Sequence, residues 1–314
     1  WMTYNMIMDN ATIQKLQHAV DSVIRGKQEA VKMAIVTLLG SGHLLIEDVP
    51  GVGKTTLAHA LARASGCEFH RIQFTSDMMP SDIIGVNIYN PESHEFEFRP
   101  GPVFSHIVLA DEINRTSPKT QSALLEAMNE KRISVERQTF MLPDPFMVIA
   151  TQNPIEYHGT FPLPESQLDR FMMHLKLGYP DSEEEKRAVA DQSGFERASQ
   201  LAPVATREGI LAMQAGADGV TIEESVMDYL MRIITATRRD DRIRLGASTR
   251  GAQFLLKAAK ANAYYEGRDF VVPDDIRRLA PLVLGHRLIL KTRKFISDAE
   301  QVIQDIVAAL PVPV

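Results

Sequence analysis

The chain has 314 residues, of which 45% are hydrophobic and 24% are charged, and its formal net charge is −6. This composition is that of an ordinary globular protein and excludes collagen-like and strongly disordered chains. The net negative charge gives no overall electrostatic reason to bind nucleic acid. The length corresponds to about two domains, and no stretch has the ~20 consecutive apolar residues that a membrane-spanning helix needs.

The cellular compartment is suggested by the cysteine content and by the start of the chain. Cys67 is the only cysteine, which leaves no disulfide within the chain and no cysteine-based zinc site. The first ten residues, WMTYNMIMDN, lack the basic stretch and apolar core of a secretory signal. We therefore expect a cytoplasmic protein.

Five short apolar runs alternate with helical patterns in the first part of the chain. They are residues 43–47, 69–74, 107–110, 147–151 and 172–177. Short apolar runs that alternate with helices are typical of buried parallel strands. We predict an α/β domain over residues 1–178.

Two segments of this domain have the pattern of β-hairpins. Residues 84–99 alternate apolar and polar side chains on both sides of the turn sequence NPES. Residues 132–142 repeat this arrangement more weakly. The spacing predicts a hairpin in each segment. The pattern does not decide whether these hairpins only pack on the surface or serve a partner.

The pattern after residue 178 is helical, and it predicts a second domain over residues 179–314. Three helix starts are indicated by a Ser or Thr with a Glu three residues later, the spacing of a capping box. These pairs are Ser182 with Glu185, Thr221 with Glu224, and Ser297 with Glu300. Pro311 is expected to follow the end of the last helix.

The segment HLLIEDVPGVGKTTLAHALA joins an apolar run to a helical pattern through a glycine-containing loop. This context predicts a phosphate-binding loop (P-loop), whose backbone N–H groups point at phosphates. Gly51 and Gly53 would allow close approach, Lys54 would reach the β- and γ-phosphates, and Thr55 would ligate Mg²⁺. The segment departs from the strict motif at Asp48, which stands where that motif has its first glycine.

Polar residues follow two of the later apolar runs. Asp111 and Glu112 directly follow the third run, and Asn153 comes two residues after the fourth. We predict that Asp111 holds the Mg²⁺ shell together with Thr55 and that Glu112 polarises the attacking water. Asn153 is expected to hydrogen-bond the γ-phosphate or that water, although an Asn before proline also forms turns.

Five motifs occur in one order along the chain: VPGVGKTT, LADEINR, ATQNP, FPLPESQLDRF and LGASTRGA. Together they resemble the MoxR family of AAA+ ATPases, in the clade with an insert in helix 2, and the resemblance extends from about Val23 to Arg287. It implies a P-loop αβα domain with a parallel five-stranded sheet, followed by a smaller all-helical lid domain. It also favours a ring-pore or partner-facing role for both hairpins.

The same resemblance implies roles for single residues. Asn153 corresponds to sensor 1, and Arg250 corresponds to sensor 2 on the lid. Arg170, in LDRF, corresponds to the arginine finger that reaches the nucleotide of the neighbouring subunit. Arg115, which follows the acidic pair, is a rival candidate for that cation. The implied catalytic set is Glu112, Asn153, Arg170 and Arg250.

The nucleotide-binding set combines the P-loop with a second segment. Val23 and Ile24, in VIRGK, match the part of the family that lines the adenine pocket. The predicted ligands are ATP and Mg²⁺. The predicted binding residues are Val23, Ile24, Gly51, Val52, Gly53, Lys54, Thr55 and Thr56.

The function implied by the resemblance is Mg²⁺-dependent ATP hydrolysis by a homo-oligomeric, hexameric ring that remodels or matures partner proteins. In this family the partners often carry a von Willebrand factor A domain. A DNA-remodelling motor is one alternative, which the pI of about 5.9 disfavours. A regulatory nucleotide switch with little turnover is another, and Glu112, Asn153 and Arg170 together favour hydrolysis over it.

Overall fold

The computed structural model describes residues 2–135, 138–153, 160–179, 182–183, 185–186, 194–292 and 296–313. Within these residues an α/β domain is followed by a mainly helical domain. None of the described helices combines the length and the apolar character that are needed to cross a membrane.

A parallel sheet forms the centre of the first domain. The strands of this domain are β1 (Leu44–Glu47), β2 (Phe69–Gln73), β3 (Gly85–Asn90), β4 (Glu95–Pro100), β5 (Ile107–Asp111), β6 (Arg132–Val135), β7 (Gln138–Met141), β8 (Met147–Gln152) and β9 (Met173–Leu175). Five of them pair in parallel in the order β2-β5-β8-β1-β9. The five predicted apolar runs form these strands, with small differences at their ends, and the predicted parallel five-stranded sheet is confirmed.

Helices cover both faces of the sheet. They are α1 (Met2–Asp21), α2 (Gln28–Leu39), α3 (Lys54–Ala64), α4 (Pro80–Ile84), α5 (Pro118–Glu130) and α6 (Glu165–Leu168). Because successive side chains of a strand point to opposite faces, Leu44 and Ile46 pack in one core with α1 to α3, while Leu45 packs in another with α5. Burial on both faces is what a parallel sheet requires.

The remaining four strands form two antiparallel hairpins. β3 pairs with β4, and β6 pairs with β7. The Phe98 ring of the first hairpin stacks on the Phe140 ring of the second, with centroids 4.1 Å apart. The two hairpins therefore form one surface element, called here the hairpin pair (residues 85–100, 132–135 and 138–141).

The second domain is the lid. Its helices are α7 (Gly194–Gln200), α8 (Arg207–Asp218), α9 (Glu224–Arg239), α10 (Thr249–Tyr265), α11 (Pro273–Leu284) and α12 (Ile296–Ala309). The helical lid that follows the αβα domain confirms the predicted fold class. It departs from a purely helical domain in one small ladder, where β10 (Ile243–Leu245) pairs with β11 (Ile289–Leu290).

The capping-box predictions fail where the structure tests them. The second predicted helix begins at Glu224 with Glu223 as its cap, and the Thr221 hydroxyl donates to the Asp269 carbonyl at 3.0 Å instead. Ser297 lies inside α12, and the stretch that contains Ser182 is described only in part. The hydroxyls that do cap lid helices belong to Thr206 and Ser248, which accept from N–H groups of glycines three residues on.

A buried histidine connects the sheet to the lid. His174 of β9 has a side chain only 1% exposed, and its Nδ1 lies 2.9 Å from Glu300 Oε1 of α12. Its Nε2 lies 3.3 Å from Glu47 Oε2 at the end of β1. The ring of His286, in the turn after α11, is centred 6.0 Å away. The imidazole therefore faces a carboxylate from each of the two domains.

The charge of His174 follows from these neighbours. Burial by itself lowers the pKa of His174, but Glu300 and then Glu47 outweigh it, so that the pKa lies above the ordinary value of 6.5. A group with a raised pKa in the folded state stabilises the fold fully below its unfolded pKa. This stabilisation is lost as the pH rises through the folded pKa.

We predict that His174→Gln lowers the free energy of unfolding by about 2 kcal/mol more at pH 6 than at pH 9, because only the imidazolium can serve both carboxylates. Denaturant unfolding at the two pH values measures the difference. His43→Gln is the matched control, because burial lowers the pKa of His43 to about 4 and leaves it neutral throughout. A deficit of equal size at both pH values would contradict a charged His174.

Candidate nucleotide site

A polar cavity of about 340 Å³ lies at the carboxyl edge of the sheet, beside the ends of β1, β5 and β8. Eight of the predicted site residues line it. They are Gly51, Gly53, Lys54, Thr55, Thr56, Asp111, Glu112 and Asn153. Three separate sequence segments are thus brought together around one space.

The P-loop connects β1 to α3 and adopts a conformation that depends on glycine. Gly51 and Gly53 have φ values of +87° and +94°, in the region that side chains other than glycine rarely adopt. α3 begins at Lys54, and Gly53, as its cap, offers no side chain to the N–H groups of the first turn. These donors and the positive end of the helix dipole make this end of α3 a site for anions.

Lys54 lies folded against its own loop. Its Nζ donates to the carbonyl oxygens of Asp48, at 2.6 Å, and Val49, at 3.2 Å. Burial lowers the pKa of Lys54, while the charges of Asp111, Asp48 and Glu112 act in the opposite direction. The loop therefore holds a half-buried ammonium group at the edge of the cavity.

Asp48, the departure from the strict motif, links the P-loop to the segment between the domains. Its Oδ2 accepts from the Gly178 N–H at 2.6 Å, and its Oδ1 accepts from the Val49 N–H at 2.8 Å. A glycine at this position could make neither contact. The side chain therefore ties the start of the loop to the end of the αβα domain.

Asp111 ends β5 and is held by the two neighbouring strands. Thr151 of β8 donates from its hydroxyl to Asp111 Oδ1 at 2.6 Å. Arg71 of β2 donates to Asp111 Oδ2 from Nε at 3.0 Å and from Nη2 at 2.7 Å. Both oxygens of this buried carboxylate are engaged, and Arg71 supplies the neighbouring positive charge.

Glu112 turns away from the strand direction. Its backbone is left-handed, with φ +58°, an uncommon conformation for a side-chain-bearing residue. Its N–H donates to the Thr151 hydroxyl at 2.8 Å, and its Oε2 accepts from Gln73 Nε2 at 2.9 Å. Arg115 Nε lies 3.2 Å from the same oxygen. The carboxylate is thus aimed along the cavity wall instead of into the sheet.

The cavity suits a nucleoside triphosphate with Mg²⁺. An added Cβ at Gly51 would meet no heavy atom within 4 Å, so the loop faces open space there. The Thr55 hydroxyl and the Asp111 carboxylate are the hard oxygen donors that Mg²⁺ takes alongside phosphate oxygens. The described residues contain no cluster of three His, Cys, Asp or Glu that could hold a metal alone.

The predicted adenine segment lies next to the P-loop. A Cβ on Gly53 would be 3.7 Å from Ile24 Cδ1. Val23 and Ile24 are both buried, and they precede α2. Val52 packs partly buried against the same core. Val23, Ile24 and Val52 are not among the residues that line the cavity, and their apolar side chains lie in the core directly beside the loop.

Three arginines have predicted roles: Arg115 and Arg170 are the rival candidates for the trans-acting cation, and Arg250 is the predicted sensor 2. Arg115 pairs with Glu112 of its own chain, as described above. Arg170 follows α6, and its guanidinium donates to the Leu125 carbonyl oxygen. Arg250 is the second residue of α10 of the lid, with Nη1 3.9 Å from Asp169 Oδ2. Arg170 and Arg250 are not among the residues that line the cavity.

The sequence interpretation missed Arg71 and Gln73. Both lie on β2, two residues apart, so their side chains point to the same face. Their partners are known only once β2 is placed beside β5, where Gln73 is in register with Asp111. A polar pair at the end of a short strand is the signal that could have identified them.

Comparisons with known proteins agree with this architecture. Residues 43–173 match the model of the ATPase family associated with various cellular activities (AAA). Residues 235–307 match the AAA lid domain. The fold and the cavity therefore define an AAA-type P-loop protein with a lid.

Relatives identify the family within this class. The chain is 48% identical over 297 residues to the uncharacterised protein YeaC of Bacillus subtilis, covering 94% of this chain and 93% of that protein. It is 41% identical over 288 residues to the chaperone MoxR1 of Mycobacterium tuberculosis, covering 89% and 76%. A crystal structure of a candidate ATPase from Cytophaga hutchinsonii superposes with a TM-score of 0.89 at 38% identity, covering 99% and 97%. The chain belongs to the MoxR family of AAA+ ATPases.

Proposed function

We propose that this protein hydrolyses ATP. The observation that carries the proposal is the cavity that joins the P-loop, the acidic pair after β5 and Asn153 after β8. Lys54 and the N–H groups at the start of α3 would bind the phosphates. The buried Val23 and Ile24 would contact the base.

Each polar group has a separate task in the proposed reaction. Glu112 would accept the proton of the attacking water, and Asn153 would orient that water or the γ-phosphate. Thr151 keeps the acidic pair in place, because its hydroxyl contacts both Asp111 and the Glu112 N–H. Mg²⁺, held by Thr55 and Asp111 when bound, would neutralise part of the phosphate charge.

We predict that two substitutions separate binding from hydrolysis. Lys54→Ala is expected to weaken ATP binding about a hundredfold or more, because charge-assisted contacts to the phosphates are lost. Glu112→Gln is expected to bind ATP normally and to hydrolyse it ~10² to 10⁴ times more slowly. Calorimetry and single-turnover assays measure the two effects.

The outcome of this pair of variants also decides between enzyme and switch. Unchanged ATP affinity in Lys54→Ala would remove the P-loop assignment. Glu112→Gln turning over at the rate of the unmodified protein would leave Glu112 without a catalytic role. Negligible turnover in the unmodified protein at every concentration would favour the nucleotide switch.

The proposed active form is a homo-oligomeric ring, for which we infer six subunits from the family. Arg170 supports a shared site, because it does not line the cavity of its own chain and its guanidinium instead contacts the Leu125 carbonyl oxygen. Arg250 lies close enough to Arg170 for its charge to act on it. We propose that Arg170 acts on the nucleotide of the next subunit and that Arg250 acts as sensor 2.

We predict that two inactive variants restore each other when mixed. Arg170→Ala is expected to bind ATP almost normally but to hydrolyse it ~10³ to 10⁵ times more slowly. Mixing it with Lys54→Ala should restore activity at about a quarter of the interfaces, where an intact P-loop meets an intact arginine. The ATPase rate of the mixture, compared with each variant alone, measures this.

Mixed rings as inactive as their parents, with co-assembly shown by differential labelling, would show that Arg170 does not act on the neighbour. Arg115→Ala is then the variant to mix with Lys54→Ala.

The hairpin pair is the proposed contact for client proteins. Phe96 is 72% exposed at its tip, with its ring centred 5.5 Å from that of the half-exposed Tyr89. Exposed aromatic groups of this kind are typical of binding surfaces. We propose that the ring remodels client proteins, such as proteins with a von Willebrand factor A domain, in the cytoplasm.

We predict that Glu112→Gln rings loaded with ATP retain a client and that adding Phe96→Ser lowers this retention at least about tenfold. Leu245→Ser is the matched control, since Leu245 is 54% exposed on the lid and is expected to leave retention unchanged. Quantitative pull-down with a purified client measures both. Equal retention by all three proteins would exclude the hairpin pair as the contact.

A further inference from the structure

One carboxylate of the αβα domain is the meeting point of three lid side chains. Asp169 lies in the turn that follows α6. Arg287 Nε donates to its Oδ1 at 3.0 Å, and the Ser248 hydroxyl lies 3.4 Å from both of its oxygens. Arg250 Nη1 is 3.9 Å from Oδ2. All three partners belong to the lid, so this contact joins the two domains.

Arg287 also holds the backbone of the same turn. Its side chain is only 1% exposed. Besides the carboxylate, its guanidinium donates to the carbonyl oxygens of Asp169 at 3.3 Å, Met172 at 3.4 Å, and Phe171. Burial lowers the pKa of Arg287 to about 10 against the charge of Asp169, so it remains a cation at neutral pH. A buried lid cation thus fixes residues on both sides of Arg170.

The start of the lid helix α10 is shaped to admit this side chain. The Ser248 hydroxyl that faces Asp169 also caps α10 by accepting from the Gly251 N–H at 3.0 Å. A Cβ on Gly251 would lie 3.1 Å from Arg287 Cδ, which is closer than ordinary contact. The absence of a side chain at position 251 therefore lets Arg287 pass under the helix to reach the turn.

Arg170 itself shares this environment. Its N–H donates to the Gln167 carbonyl oxygen at 3.1 Å, so the turn after α6 fixes its backbone. Burial and the nearby charge of Arg250 both lower the pKa of Arg170. Arg250 thus lies near the carboxylate of Asp169 and is close enough to Arg170 for their two charges to interact.

We propose that Asp169 is a positioning residue for Arg170, which it ties to the lid of its own subunit through Arg287 and Arg250. A movement of the lid carries Arg287 with it, and the turn that bears Arg170 follows. The position of the lid in one subunit thereby determines the position of Arg170, which this subunit offers to the next. The inference rests on the proposed function, in which Arg170 completes the site of a neighbouring subunit.

The test uses full-length Asp169→Asn, which keeps the size of the side chain and removes its charge. ATP binding should stay within about threefold of the unmodified protein, because the P-loop is untouched. The kcat should fall about 10- to 100-fold, as expected for a small misplacement of a group that acts on the reaction. A normal kcat would overturn the proposal.

Mixing experiments then show on which side of the interface the defect lies. Asp169→Asn mixed with Lys54→Ala should regain activity, because the Lys54→Ala subunits carry a correctly held Arg170. Asp169→Asn mixed with Arg170→Ala should gain no activity over the mean of the two variants alone, because both variants lack the same element. A general structural defect would not sort the variants in this way, and recovery with Arg170→Ala would overturn the proposal.

Asp275→Asn is the matched control for loss of stability. Asp275 is buried and, like Asp169, pairs with an arginine, since Arg268 Nη2 donates to its Oδ1 at 2.7 Å, but both residues belong to the lid. This variant should lower the melting temperature while keeping the kcat. An equal loss of kcat in Asp275→Asn would overturn the specific role of Asp169.

A second variant covers the case in which Asp169→Asn does not fold. Arg287→Lys keeps the buried charge but cannot form the same fork of hydrogen bonds. Arg287→Lys should regain activity when mixed with Lys54→Ala and not when mixed with Arg170→Ala. This pattern would show that a lid residue controls the position of Arg170 in its own subunit. The reverse pattern would overturn the proposal. If Arg170→Ala and Lys54→Ala fail to restore each other, the proposed ring fails instead.

Discussion

The parallel pairing of β5, β8 and β1 is the constraint on which the proposed site depends. These neighbouring strands end at one edge of the sheet, where they place Asp111, Asn153 and the P-loop around one cavity. The hydrogen bond from Thr151 to Asp111 crosses from β8 to β5 at that edge, and the same hydroxyl receives the Glu112 N–H. A slip of one residue in this register would turn each of these side chains to the opposite face.

The lid is attached to this sheet through buried charges as well as apolar contacts. His174 of β9 meets Glu300 of α12, and Arg287 meets Asp169 in the turn just before β9. Burying a charge is costly unless it is paired, so each pair is satisfied only in a narrow range of lid orientations. Both pairs lie at or just before β9, the edge strand that pairs with β1. The end of β1 leads into the P-loop. The lid and the nucleotide cavity are therefore connected through β1 and β9.

Local patterns predicted most of the fold and the central part of the site, because strand length, glycine placement and the residues at strand ends are encoded within short segments. The failures involve contacts between distant segments. Arg71 reaches Asp111 only because β2 lies beside β5, and Thr221 leaves its predicted cap because Asp269 offers a carbonyl group. The ladder of β10 and β11 has strands too short for a recognisable pattern. The role of Asp48 likewise depends on Gly178, far along the chain.

The most direct test of a site shared between subunits is the ATPase rate per subunit as a function of protein concentration. In the proposed ring a complete site needs Arg170 of a neighbour, so the rate should rise steeply, by ~10³ or more, as dilute subunits assemble. Light scattering on the same samples should show the increase in mass over the same concentration range. A rate per subunit that stays constant from dilute monomer to assembled protein would contradict the account, because each chain would then contain its whole active site.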